Sequence, residues 1–82
     1  IWQCVDDDKL MPEALQLAEN LATQPTQGLA QIKRLLNQSF STSLEQQTED
    51  EKQTMGLLGR SDDYREGVAA FMEKRQPQFK GQ

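Results

Sequence analysis

The sequence reads as an all-α chain of about four helices behind a short extended lead-in. Three observations predict this. Apolar residues recur at helical spacing over three segments, as in Leu10, Ala14, Leu17 and Leu21. Hydroxyl and carboxylate residues stand where helices would begin, at Asp6-Asp7-Asp8, Ser43 and Ser61-Asp62-Asp63. Helix breakers stand where they would end, at Gln24-Pro25, Gly59 and Pro77.

The segment Ile1-Trp2-Gln3-Cys4-Val5 alternates bulky apolar and other residues, as the tail of a strand or an extended entry does. The first helix is predicted from about Lys9 to Thr23, capped by the acidic run 6–8, with Pro12 tolerated in its first turn. The second is predicted from Pro25 or Thr26 to Gln38, with a stripe of Leu29, Ile32, Leu36 and Phe40 and with Lys33 and Arg34 at its side. Ser39-Phe40-Ser41-Thr42 reads as a loop. Ser43-Leu44-Glu45-Gln46 matches a capping box, in which the hydroxyl and the amide side chain each satisfy a free backbone N–H. The third helix then runs to about Leu58 with few apolar residues, so it either bridges solvent or lies along a surface built elsewhere, and Gly59 ends it. The fourth carries Tyr64, Val68, Phe71 and Met72 on one side, ends near Arg75 and is followed by an extended tail anchored by Phe79. This divides the chain into a lead-in, 1–8, a helical region, 9–76, and a tail, 77–82.

Composition excludes several chemistries. The 82 residues contain no histidine, so Ser-His-Asp and Cys-His machinery and His-ligated metal sites are absent. The single cysteine, Cys4, rules out an internal disulfide; it reads as a small buried apolar residue in a reducing, cytoplasmic setting. Acidic residues outnumber basic ones by 13 to 9, and residues 1–50 carry a net charge of −5 against +1 for the rest, which disfavours a nucleic-acid partner. The longest apolar run, Val68–Met72, is far too short to span a bilayer, and Gly56, Gly59 and Gly67 fit no phosphate-binding fingerprint. No metal ligand set is expected. With hydrophobic residues at only 35 %, the chain looks short of core, which predicts exposed helix faces and self-association of the isolated chain. Its start at Ile1 suits a segment of a longer protein.

The tail is more specific. Ser61-Asp62-Asp63, Glu66-Gly67, Ala70-Phe71-Met72-Glu73-Lys74-Arg75 and Pro77-Gln78-Phe79-Lys80-Gly81 together resemble the C-terminal signature of the crotonase family, the enoyl-CoA hydratases and isomerases. The resemblance extends over the whole chain. Trp2, Leu44-Glu45-Gln46-Gln47 and Gly59-Arg60-Ser61 are most similar to its phenylacetate-degradation branch, which isomerises a ring-epoxide phenylacetyl-CoA. The resemblance implies the C-terminal helical segment of the crotonase fold, without the spiral core that carries the oxyanion hole and the acidic residues of proton transfer. No catalytic residue is therefore nominated, and the chain alone is expected to be inactive.

The roles implied are packing of a homo-oligomer, a trimer or dimer of trimers in the parent enzyme, and coverage of an acyl-CoA substrate, with no tightly bound cofactor. On the matching motif, Phe71 faces the adenine and Lys74 the 3′-phosphate of coenzyme A. The residues themselves leave a plainer alternative open: Phe71 as core, and Lys74 and Arg75 as cations opposing the helix dipole. Arg60 and Arg65 read as solvated or paired, and Tyr64 as packing. A different class of function, a free-standing helical protein-interaction module, also fits the polar helices.

Overall fold

Four helices follow one another in the computed structural model, which describes residues 1–82: α1, Asp7–Ala22; α2, Thr26–Gln38; α3, Leu44–Leu58; and α4, Asp62–Glu73. Residues 1–6 are extended but form no strand, since an isolated segment has no ladder partner. They lie beside α1, where Gln3 Nε2 donates to Glu13 Oε2 at 3.0 Å. Cys4 is exposed there, which corrects the reading of it as a buried apolar residue.

α1 begins two residues before the predicted Lys9. Asp6 is the N-cap by backbone conformation, yet its carboxylate makes no capping bond; Asp7 and Asp8 in the first turn act on the helix dipole instead. The earlier start moves Pro12 out of the first turn, so the Asp8 carbonyl loses its amide partner; both residues are exposed, which leaves that carbonyl open to solvent. α2 begins after Pro25 as predicted. The Ser/Thr loop closes its far end: Ser39 Oγ donates to the Leu36 carbonyl at 2.8 Å and Thr42 Oγ1 to that of Gln38 at 2.7 Å.

Only half of the capping box forms on α3. Ser43 Oγ accepts from the Gln46 N–H at 3.1 Å, but the Gln46 side chain turns forward to Asp50 Oδ1 at 2.9 Å. α3 ends at Leu58 as predicted, though Gly59 stays right-handed with φ −63° and its conformational freedom goes unused. Ser61 serves two helices. Its hydroxyl donates to the Leu58 carbonyl at 2.6 Å and accepts from the Tyr64 N–H at 3.1 Å, ending α3 and opening α4.

α2 and α3 pack through a polar seam. Arg34 Nη2 donates to Thr54 Oγ1 at 2.9 Å, and Thr54 is one of only three buried residues. Gln38 Nε2 donates to Asp50 Oδ2 at 2.7 Å and Gln47 Nε2 to the Leu35 carbonyl at 3.1 Å. The glutamine-rich, apolar-poor face of α3 is thus complementary to α2 by hydrogen bonding.

The apolar faces point outward. Ala70 is the single buried hydrophobic residue, and Leu10, Leu15, Ile32, Leu36, Leu44 and Met55 are all exposed. The radius of gyration is 16.2 Å, against about 12 Å for a compact chain of this length. The accessible surface is 7104 Å² for 9.3 kDa, roughly 2,000 Å² more than a folded monomer of that mass exposes. No helix is long and apolar enough to cross a membrane.

Candidate functional site

The helix that carries the predicted site residues is also the one on which the chain folds back. α4 ends at Glu73, two residues before the predicted Arg75, because Lys74 takes a left-handed conformation, φ 55° and ψ 44°. The Lys74 N–H reaches the Phe71 carbonyl at 3.3 Å and the Arg75 N–H that of Ala70 at 3.0 Å, the paired bonds of a Schellman ending. Glycine is the usual occupant of this position; a lysine held there costs of the order of 1 kcal/mol. The tail then runs back along α4, with Pro77 holding it out of helix.

Two carboxylates of α4 clamp the tail. Glu66 takes a two-pronged bond from Arg75, Nη1 to Oε1 at 2.6 Å and Nη2 to Oε2 at 3.1 Å, and its Oε1 also accepts the Gln78 N–H at 2.8 Å. Arg75 Nε donates to Glu73 Oε2 at 2.6 Å. Asp63, buried at 5 % exposure, accepts the Lys80 N–H at 2.7 Å and the Gly81 N–H at 2.8 Å, while its own N–H donates to the Gln82 carbonyl oxygen at 2.8 Å. Between the clamps the Phe79 ring lies over Gly67, near enough that a Cβ there would meet it at 3.5 Å.

The bond from Arg75, and next the Gln78 amide, hold the Glu66 carboxyl at about 2 instead of 4.5. Glu66 and then Glu73 push the Arg75 guanidinium further above its usual value. Since the folded-state value of Glu66 is depressed, its contribution is complete above about pH 4.5 and is lost as the pH falls towards 2. The protection of the Gln78 amide against exchange, taken relative to an unstructured chain at the same pH, is expected to fall in that acid window and to hold above it; release of the tail near neutrality would contradict the assignment.

The returning tail walls a groove of about 450 Å³ together with α2, the end of α3 and α4. Pro25, Leu58, Tyr64, Val68, Phe71 and Phe79 give it an apolar lining. Phe71 is 82 % exposed, so within this chain it is not core. Lys74 does not line the groove; it stands one turn on, at the end of α4, and its side chain is without an ion-pair partner. The structure thus puts an open aromatic and a free cation on one helix end. Arg75 is committed to Glu66 and Glu73, Arg65 pairs with Asp62 at 3.3 Å, and Tyr64 lines the groove. No three His, Cys, Asp or Glu side chains converge to hold a metal.

Asp63, Glu66 and Gly81 are the residues the sequence reading missed. The available signal was the doubled acid at 62–63, one more carboxylate than a cap needs, with a proline-initiated tail long enough to return to it.

The chain belongs to the enoyl-CoA hydratase/isomerase family, whose pattern matches residues 1–82. Within it, the chain is 53 % identical over 81 residues to the 1,2-epoxyphenylacetyl-CoA isomerase of Escherichia coli (strain K12), covering 99 % of this chain and 31 % of that protein. It is 38 % identical over 81 residues to a probable enoyl-CoA hydratase of Rhodobacter capsulatus, covering 99 % and 32 %. Among solved structures, an enoyl-CoA hydratase subunit I from Geobacillus kaustophilus HTA426 superposes with a TM-score of 0.87 at 38 % identity, over 95 % of this chain and 30 % of that one. The chain therefore spans about a third of the length of the relatives it matches.

Proposed function

We propose that this chain is the C-terminal assembly and coenzyme A-covering segment of an acyl-CoA isomerase of the ring-epoxide phenylacetyl-CoA type, a cytoplasmic enzyme whose substrate is a coenzyme A thioester. The observation that carries the branch is the 53 % identity, sustained along the whole chain, to 1,2-epoxyphenylacetyl-CoA isomerase. Phe71 would stack on the adenine and Lys74 meet the 3′-phosphate, the apolar face and mobile ammonium those groups require. The chemistry of the thioester falls to other parts of the polypeptide. Of the carboxylates beside the groove, Asp63 is engaged by two tail amides and Glu66 by Arg75 and the Gln78 amide, so both serve to hold the tail.

The assembly role is supported by the outward apolar faces. A surplus of roughly 2,000 Å² is as large as a whole standard protein–protein interface. We propose that the rest of the polypeptide and sister subunits cover it, in a homo-oligomer. Against the reading as a free-standing interaction module stands the family pattern, which takes in every residue.

The test is kinetic, on the complete polypeptide. Phe71→Ala and Lys74→Ala are each expected to raise KM for an enoyl-CoA about tenfold, the worth of one charge-assisted bond or one stacked ring, with the loss falling mainly on KM. Lys74→Ala is further expected to erase the preference for the thioester over its 3′-dephospho analogue. An undiminished preference in Lys74→Ala would overturn the assignment of the phosphate.

A further inference from the structure

The backbone at Lys74 is the only non-glycine site with positive φ in the chain. Nothing that the Lys74 side chain touches offsets that strain, for it makes neither a hydrogen bond nor an ion pair, and glycine would relieve it. Strained backbone persists where surrounding contacts over-determine it, and it gathers at ligand-holding positions. The contacts that over-determine this one come from the residues on either side. Arg75 Nε holds Glu73 at 2.6 Å on the N-terminal flank. On the other flank, the Nη groups of Arg75 hold Glu66 at 2.6 and 3.1 Å. Glu66 in turn fixes the first residues of the tail through the Gln78 N–H at 2.8 Å. Three donors of one guanidinium therefore fasten the segments entering and leaving Lys74 to the body of α4. The lysine side chain alone is left without a hydrogen bond or ion pair, at the end of the helix that carries the groove-lining Phe71.

We propose that Glu66 and Arg75 are positioning residues that hold Lys74 in its left-handed turn, so that its ammonium is presented to the 3′-phosphate of coenzyme A while their own charges cancel. The inference rests on the coenzyme A reading above. It separates two cations that a motif of adjacent Lys and Arg would otherwise treat alike: Lys74 meets the ligand, and Arg75 sets the geometry. Only a guanidinium can do the second job, because an ammonium has no planar fork to bind one carboxylate with two prongs and a second carboxylate with a third.

The experiment measures KM for an enoyl-CoA and for its 3′-dephospho analogue, in the complete polypeptide and in its Lys74→Ala, Arg75→Lys and Glu66→Gln variants. The KM of the dephospho analogue divided by that of the enoyl-CoA is the readout. A defect that is merely structural weakens both thioesters alike and cancels in the ratio. Arg75→Lys keeps the positive charge and removes the fork. The ratio is expected to fall to about one in Lys74→Ala, and to drop at least about threefold in Arg75→Lys and Glu66→Gln, a fraction of the roughly tenfold a charge-assisted bond confers. Full retention of the ratio in Arg75→Lys and Glu66→Gln, with its loss in Lys74→Ala, would overturn the inference and leave the coenzyme A reading standing. Retention in Lys74→Ala would overturn both. Should Glu66→Gln be recovered unfolded, Arg75→Lys decides alone.

Discussion

Gly81→Ala is expected to destabilise the protein by at least about 2 kcal/mol and to free its last residues, a large effect for the addition of one methyl group near a chain end. Two penalties add. Gly81 has φ +76°, a conformation that costs an L side chain roughly 1–2 kcal/mol. A Cβ there would also stand 2.6 Å from Thr26 Oγ1, closer than real Cβ contacts come. Thr26 is the first residue of α2 and its hydroxyl is one bond from Cβ, so it has no flexible length with which to yield. The tail must lift, and the Asp63 bond to the Gly81 N–H at 2.8 Å goes with it. Denaturation midpoints and amide exchange at Lys80 measure the effect. Gly56→Ala is the matched control. Nothing lies within 4 Å of a Cβ there and the site is inside α3, so that substitution is expected to stabilise by about 0.5–1 kcal/mol. Equal stability of Gly81→Ala and the parent would mean that the tail does not rest on α2.

Asp63→Ala is expected to cost about 2–3 kcal/mol, and Asp62→Ala next to it less than about 0.5 kcal/mol. The contrast follows from what each carboxylate meets. Asp62 is exposed and holds only Arg65, itself exposed, at 3.3 Å. Asp63 is buried and receives two tail amides at 2.7 and 2.8 Å, one on each oxygen. Asp63→Asn is expected to rescue little, because its amide nitrogen would turn a donor towards one of those N–H groups. Urea titration of the three variants checks the order. Similar losses in Asp62→Ala and Asp63→Ala would reduce both residues to ordinary cap charges.

The helices were legible in the sequence because their signals are local. Ser43 and Ser61 each meet an amide three residues on, and Pro25 and the Ser/Thr loop act within one turn of the helix ends they shape. Errors arose where local signals competed. Asp7 and Asp8 extend α1 back over what reads as its cap, and Gln46 prefers Asp50 to its half of the capping box. Lys74, not a glycine, carries the left-handed turn, so the end of α4 was misplaced by two residues. The lead-in resembles a strand in pattern but has none beside it to pair with. Of the site, Phe71 and Lys74 came from the resemblance of their motif. The clamp around them stayed hidden, because Asp63 binds amides 17 and 18 residues away and Glu66 a guanidinium nine away, and main-chain donors leave no mark in a sequence.

The seam between α2 and α3 has a calorimetric consequence. Exposing apolar surface raises the heat capacity on unfolding, while exposing polar surface lowers it. Parting Arg34 from Thr54 and Gln38 from Asp50 would uncover mainly amide, hydroxyl and guanidinium groups, so it adds little to that increment or even subtracts from it. The curvature of stability with temperature would then come from the outward faces, through whatever covers Leu10, Ile32, Leu44 and Met55. Cooling weakens that apolar coverage while sparing the hydrogen-bonded seam. In the cold the helices should part from their surroundings before α2 parts from α3.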